Sequence, residues 1–272
     1  MKKSIFLSHL QDASREENIS FEKALEYARS LGYQGADIDW ADLCKKPVEL
    51  TEKLRSADIQ IASVYKFCDF ASSFSELEMQ RFLECVAKCD CEKVMIIPGF
   101  FKDNSDIESE TAAMIEALAK TCGIAKEYNI TVTVENFDDR HSPCGNTSSL
   151  KYLLESVSEL RYTLDTGNYA YFDENVLTAL SLFSEKIVHV HLKDRYSVPF
   201  TEGETATKSI FGKPLFPAPA GFGIIPIKEC IKELKRLKYN GYLSVEHFNA
   251  KSQLKYMTDS AERLDRLLLE LQ

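Results

Sequence analysis

Eight short apolar runs, rich in β-branched residues, recur along the chain at Ser4–Leu10, Gly35–Trp40, Ile59–Phe67, Lys93–Gly99, Ile130–Asn136, Arg161–Gly167, Ile187–Lys193 and Leu243–Phe248. Each is followed by a segment whose apolar residues repeat at helical spacing. Phe21, Ala24, Leu25, Ala28 and Leu31 follow the i, i+3, i+4, i+7 rule, with Ser20 as N-cap and Gly32 as stop. Pro226 opens a later helix that carries Ile227, Cys230, Ile231 and Leu234 on one face. Strand–helix alternation of this kind points to a parallel sheet. Eight units in 272 residues fit a single-domain α/β fold, the closed (β/α)8 TIM barrel, better than an open doubly wound sheet. The open sheet would need a glycine-rich phosphate turn after its first strand, and QDASREEN stands there instead.

One segment breaks the rhythm. Arg195–Gly223 holds four of the eight prolines and is longer than a strand-to-helix connection needs. It reads as a lid over the site, with Phe211, Phe216 and Phe222 placed to cover a substrate. Composition narrows the partners. The 33 Lys and Arg against 42 Asp and Glu give a net charge of −9, which opposes nucleic acid and anionic membrane surfaces. No apolar stretch is long enough to span a bilayer. The start, MKKSIFLSHL, is followed by charge rather than a cleavage site, so it reads as a strand of a cytoplasmic protein. The eight cysteines then read as thiols, and the cluster Cys85, Cys89, Cys91 lacks a second Cys/His pair for zinc.

In a barrel, chemistry collects at the C-terminal ends of the strands. Four consecutive runs end in ionisable groups: Glu135 on the fifth, Asp165 on the sixth, His189, His191 and Lys193 on the seventh, and Glu246 on the eighth. The period of two turns Val132 and Val134 toward the helices and Thr133 and Glu135 toward the axis. The same rule points Asp165, His189, His191, Lys193, Ser244 and Glu246 inward. Three carboxylates converging at one rim raise one another's pKa, and a divalent cation removes that repulsion. Glu135, Asp165, His191 and Glu246 make a three-oxygen, one-imidazole set for one divalent metal ion, Mn²⁺ first, with Mg²⁺, Co²⁺ or Zn²⁺ as alternatives. His9, Trp40, Tyr65, Phe67 and Phe100 stand at or just past the first four strands, where aromatic faces suit the C–H faces of a sugar. Asp37 and Asp39 share the inner face of the second.

At these residues the chain resembles the xylose-isomerase-like barrels, in particular the sugar phosphate isomerase/epimerase group. The resemblance is carried by VEN at 134–136, LDTGN at 164–168, HVHLKD at 189–194 and GYLSVEH at 241–247, and it extends through all eight units. It implies one catalytic metal on Glu135, Asp165, His191 and Glu246. Two departures stand out. Many epimerases of the group carry a histidine three residues beyond the metal aspartate, and Asn168, which cannot titrate, occupies that place. Their arginine after the seventh-strand histidine is also not at its usual spacing, with Arg195 lying nearer.

The leading expectation is therefore a metal-dependent isomerase or epimerase of a sugar, keto-sugar or polyol. Glu135 and Glu246 would remove and return a proton next to a metal-chelated carbonyl. Lys193, Asn168, His189, Arg195, Trp40, Tyr65 and His9 would bind substrate. The alternatives are a dehydratase or other β-eliminating lyase of the inosose dehydratase type, and a non-catalytic ligand-binding barrel. An endonuclease of the same superfamily would need more histidine ligands than the five present. The expected partner is a small carbohydrate or polyol, with homo-oligomerisation open.

Overall fold

All eight runs form strands, at Lys2–Phe6, Tyr33–Asp39, Gln60–Phe67, Lys93–Ile97, Thr131–Glu135, Arg161–Asp165, Ile187–Tyr196 and Tyr242–Glu246, in a computed structural model that describes residues 1–271. They pair in sequence order, and the eighth lies between the seventh and the first, so the ring closes with every barrel pairing parallel. The closing registers set Ser244 beside both Ser4 and His191, and Glu246 beside Lys193. Register thus sets Asp165 directly beside His191, while Glu135 pairs with Thr163 and Glu246 with Lys193 on the flanking strands.

Side-chain alternation separates two environments. Val132, Val134, Leu164, Val190, Leu192, Leu243 and Val245 are buried against the surrounding helices. The inner face is polar low in the barrel: Ser4, Ser63, Thr133, Thr163, His189 and Ser244 are all buried there. The Thr133 and Thr163 hydroxyls lie 2.7 Å apart. Above them a second apolar cluster, Phe6, Tyr65, Met95 and Ile97 with Phe100 and Phe137 against it, forms an aromatic half-wall at the mouth.

The helix signals act where the sequence places them. Ser20 accepts from the Lys23 N–H, and Gly32 adopts φ +82°. The helix after Pro226 buries Ile227, Cys230, Ile231 and Leu234. Two expectations need correction. The first strand ends at Phe6, and Leu7–Glu16 is a helix that buries Leu7, Leu10 and Ala13 at helical spacing. His9 therefore belongs to that helix and not to a strand end. Trp40 likewise opens the short helix Trp40–Leu43, whose Ala41 N–H is capped by the Asp39 carboxylate.

The insertion folds onto the barrel as a small sheet. The seventh strand continues to Tyr196 and pairs antiparallel with Pro214–Ala218, which pairs in turn with Thr207–Lys208. Its base is tied by the Asp194 carboxylate, which accepts from the N–H groups of Arg195, Gly221, Gly223 and Ile225. Its middle is held by buried Glu204, which accepts from the Phe200 and Thr201 N–H groups and from the Tyr256 hydroxyl on the helix Gln253–Glu270.

Candidate active site

Each motif at the strand ends has a structural as well as a chemical part. Just past the fifth strand, the Asn136 amide copies a ladder pair across to the sixth: Oδ1 accepts from the Asp165 N–H and Nδ2 donates to the Asp165 carbonyl, both at 3.0 Å. Thr166 does the same toward the seventh strand, its hydroxyl donating to the Lys193 carbonyl at 2.8 Å and accepting from the Lys193 N–H at 3.1 Å. At Gly167 the chain passes so near that strand that a Cβ would lie 2.6 Å from the Lys193 carbonyl oxygen. Asp165 Oδ1 then accepts from the N–H groups of Gly167 and Asn168, at 2.7 and 2.6 Å. Its other oxygen is left for a different partner.

That oxygen, Asp165 Oδ2, is buried and has no hydrogen-bond partner among the described residues. Donor atoms of Glu135, Asp165, His191 and Glu246 all lie within 4.8 Å of one another, and all four residues are buried. His191 Nδ1 stands 3.1 Å from Glu135 Oε1 and 3.4 Å from Glu246 Oε2. Lys193 Nζ approaches from one side, 2.6 Å from Glu246 Oε1 and 3.9 Å from Asp165 Oδ2.

The electrostatics divide the carboxylates. Burial pushes Asp165 well above the ordinary carboxylate range, with the charges of Glu246 and Glu135 adding to it against the pull of Lys193. Burial likewise raises Glu135, although His191 opposes the shift. Glu246 is buried too, yet the charges and hydrogen bonds of Lys193 and His191 pull it below the usual range. In spite of burial, the charge of Glu135 and the hydrogen-bonding carboxylates of Asp37, Glu135 and Glu246 hold His191 well above its ordinary value. Three inward oxygens and one imidazole nitrogen, one of the oxygens unpartnered and two of the acids driven toward protonation, are what a divalent cation satisfies. The donor set fits a metal.

A cavity of about 340 Å³ opens over these groups. Phe6, Tyr65, Phe67, Met95, Ile97, Phe137 and Phe248 form its apolar wall, and Asp39, Glu135, Asp138, Asn168, Lys193 and Glu246 its polar one. Of the expected substrate contacts, Tyr65, Lys193 and Asn168 line it. Asn168 is held by its amide, which donates to the Asn136 carbonyl at 2.9 Å and to Glu135 Oε1 at 3.4 Å.

The others stand apart. Trp40 packs edge-on against Phe82 with ring centres 5.0 Å apart. His9 stacks on His247 at 4.3 Å. His189 lies deeper in the barrel, 2.6 Å from Asp37 Oδ1. Arg195 is buried in an ion pair with Asp138, through which the root of the insertion reaches the site. Beyond that root, no described residue of the insertion lines the cavity, and Phe211 and Phe222 are exposed. Asp138 was not singled out in the sequence. It stands in an aperiodic loop, and only its partner across the barrel reveals it.

The model of the xylose isomerase-like TIM barrel matches residues 25–267, and the chain belongs to that family. The chain is 26% identical over 251 residues to an inosose dehydratase of Mesomycoplasma hyopneumoniae (strain J), covering 84% of this chain and 81% of the relative. The solved L-ribulose 3-epimerase superposes with a TM-score of 0.76 at 14% identity, covering 100% of this chain and 96% of that one. The IolI protein, solved with a bound zinc atom, gives 0.72 at 16% identity, covering 100% and 98%. At such identities the two structures share the fold.

Proposed function

We propose that the chain is a divalent-metal-dependent isomerase or epimerase of a sugar, keto-sugar or polyol derivative. The observation that carries the reading is the convergence of Glu135, Asp165, His191 and Glu246 within 4.8 Å beneath a cavity with one apolar, largely aromatic wall and one polar, largely charged wall. A divalent ion on these four side chains supplies Lewis acidity toward adjacent carbonyl and hydroxyl oxygens. The metal in the IolI structure is zinc; for this chain we favour Mn²⁺, since three of the four donors are carboxylate oxygens.

The protein's own groups do the proton work. Glu135 and Glu246 reach the cavity from different strands, and each can take or return a proton at the carbon next to the carbonyl. Lys193 keeps Glu246 ionised and oriented, and its ammonium offers a positive charge to a substrate oxygen. The Asn168 amide fixes Glu135. The half-wall of Phe6, Tyr65, Phe67, Phe137 and Phe248 takes the C–H face of the substrate and keeps water from the reacting carbon.

A second reading, a dehydratase, has its own support. Asn168 cannot carry a proton, and the inosose dehydratase likeness spans most of the chain. One experiment addresses both. The Mn²⁺-loaded protein is incubated in D₂O with a panel of ketoses and keto-inositols. Deuterium at the carbon next to the carbonyl in a rearranged product supports the isomerase, and loss of water supports the lyase. A complete absence of exchange and of product across the panel sinks both.

A further inference from the structure

We infer that Asp37 is a positioning residue for the metal centre, holding the His191 ring from behind with Nδ1 turned to the carboxylates and Nε2–H turned to itself. The inference rests on the metal reading above. His191 has Nδ1 at 3.1 Å from Glu135 Oε1, while its Nε2 lies 3.6 Å from Asp37 Oδ1. A neutral imidazole offers one lone pair to a cation and carries its hydrogen on the other nitrogen. The group facing that other nitrogen therefore decides which tautomer is present.

Asp37 is itself braced. His189 Nε2 donates to Oδ1 at 2.6 Å, and the Ser244 hydroxyl donates to Oδ2. Asp37, His189 and Ser244 come from the second, seventh and eighth strands and are buried. Two aromatic edges prevent the His191 ring from turning over. Phe6 meets it at 4.8 Å and 70°, and His189 at 5.3 Å and 87°. The polar layer under the site thus converts three strand registers into one ring orientation. Carboxylates placed behind a ligating histidine typically contribute about 10- to 100-fold in metal affinity.

The test uses the full-length protein and Zn²⁺ alone as probe. Calorimetry on the wild type is expected to give one ion per chain. The ¹⁵N spectrum of histidine-labelled, zinc-loaded protein is expected to show His191 metallated at Nδ1 and protonated at Nε2. Asp37→Asn should weaken zinc binding about 10- to 100-fold at an unchanged fold. Ser244→Ala, which removes one of the two braces, should weaken it by a smaller factor. Should Asp37→Asn fail to fold, Ser244→Ala and the wild-type spectrum decide. Metallation at Nε2 overturns the inference. So does a second ion held by Asp37, His189 and His191, or wild-type affinity in both variants. A wild type that binds no ion overturns the metal reading itself, whereas one-ion binding with indifferent variants overturns only the role of Asp37.

Discussion

The Lys193 ammonium and the Glu246 carboxylate meet at 2.6 Å, both buried, on neighbouring strands in register. A buried lysine keeps its proton only if acids repay its desolvation, and here Asp138, Glu246 and Asp165 raise its pKa against the effect of burial. The lysine is thus a fixed positive charge in the wall of the cavity. Lys193→Met is expected to lower kcat/KM about 10²- to 10³-fold. Metal affinity, measured by calorimetry, should hold or rise, because a cation near the ligand oxygens has been removed. Unchanged turnover in the variant would remove Lys193 from the chemistry.

Glu135→Gln and Glu246→Gln preserve shape and delete a proton acceptor. Each is expected to cut turnover about 10²- to 10⁴-fold on the substrate that the panel identifies. If the two variants differ in which substrate hydrogen exchanges with D₂O, the faces served by the two acids are assigned. Wild-type turnover in either variant rules that residue out as an essential base.

His9 makes stability sensitive to acid. Its Nε2 accepts from the His247 N–H at 3.0 Å, which requires a free lone pair, and burial first, then the neighbouring His247, lowers its pKa well below 6.5. The unfolded chain therefore takes up this proton before the folded one does. Stability is full above the ordinary histidine range and falls as pH drops below it, by about 1.4 kcal/mol per pH unit for one proton. His9→Gln is expected to remove this proton's share of the slope in denaturant titrations between pH 6.5 and 5, while retaining an acceptor for the His247 N–H. An identical slope in the variant would show that His9 is not the group responsible.

Glu204 is the clasp of the insertion. Glu204→Ala leaves the N–H groups of Phe200 and Thr201 without their acceptor and leaves the Tyr256 hydroxyl only the Pro217 carbonyl at 3.1 Å. A loss of about 1–3 kcal/mol is expected, together with faster proteolysis within 197–213 and no change in metal affinity. Cleavage no faster than in the wild type would mean that the antiparallel strands alone hold the segment.

The barrel and the four converging donors were readable because both depend on short periods. Alternation by two points Glu135, Asp165, His191 and Glu246 inward whatever the loops do. The errors lie where a local signal is missing. Between Phe6 and Leu7 there is no proline, glycine or capping side chain, and the helix starts on an extended Phe6 with no side-chain cap. An apolar run crossing that junction looks like one strand, and His9 is misplaced with it. Trp40 follows Asp39, whose carboxylate could end a strand or cap a helix, and it caps one. The pairs Asp37 with His189 and Asp138 with Arg195 join residues far apart in sequence, so only the closed ring discloses them.

Gly167 governs a close approach at the rim. Because the sixth strand's exit presses against the Lys193 carbonyl with no room for a methyl group, the close approach of that exit to the strand end carrying Lys193 depends on what the chain omits there. A lineage that placed any larger residue at this position would have to move the sixth strand's exit away from the seventh strand. Selection on the geometry of this rim can thus act through a residue that carries no side chain.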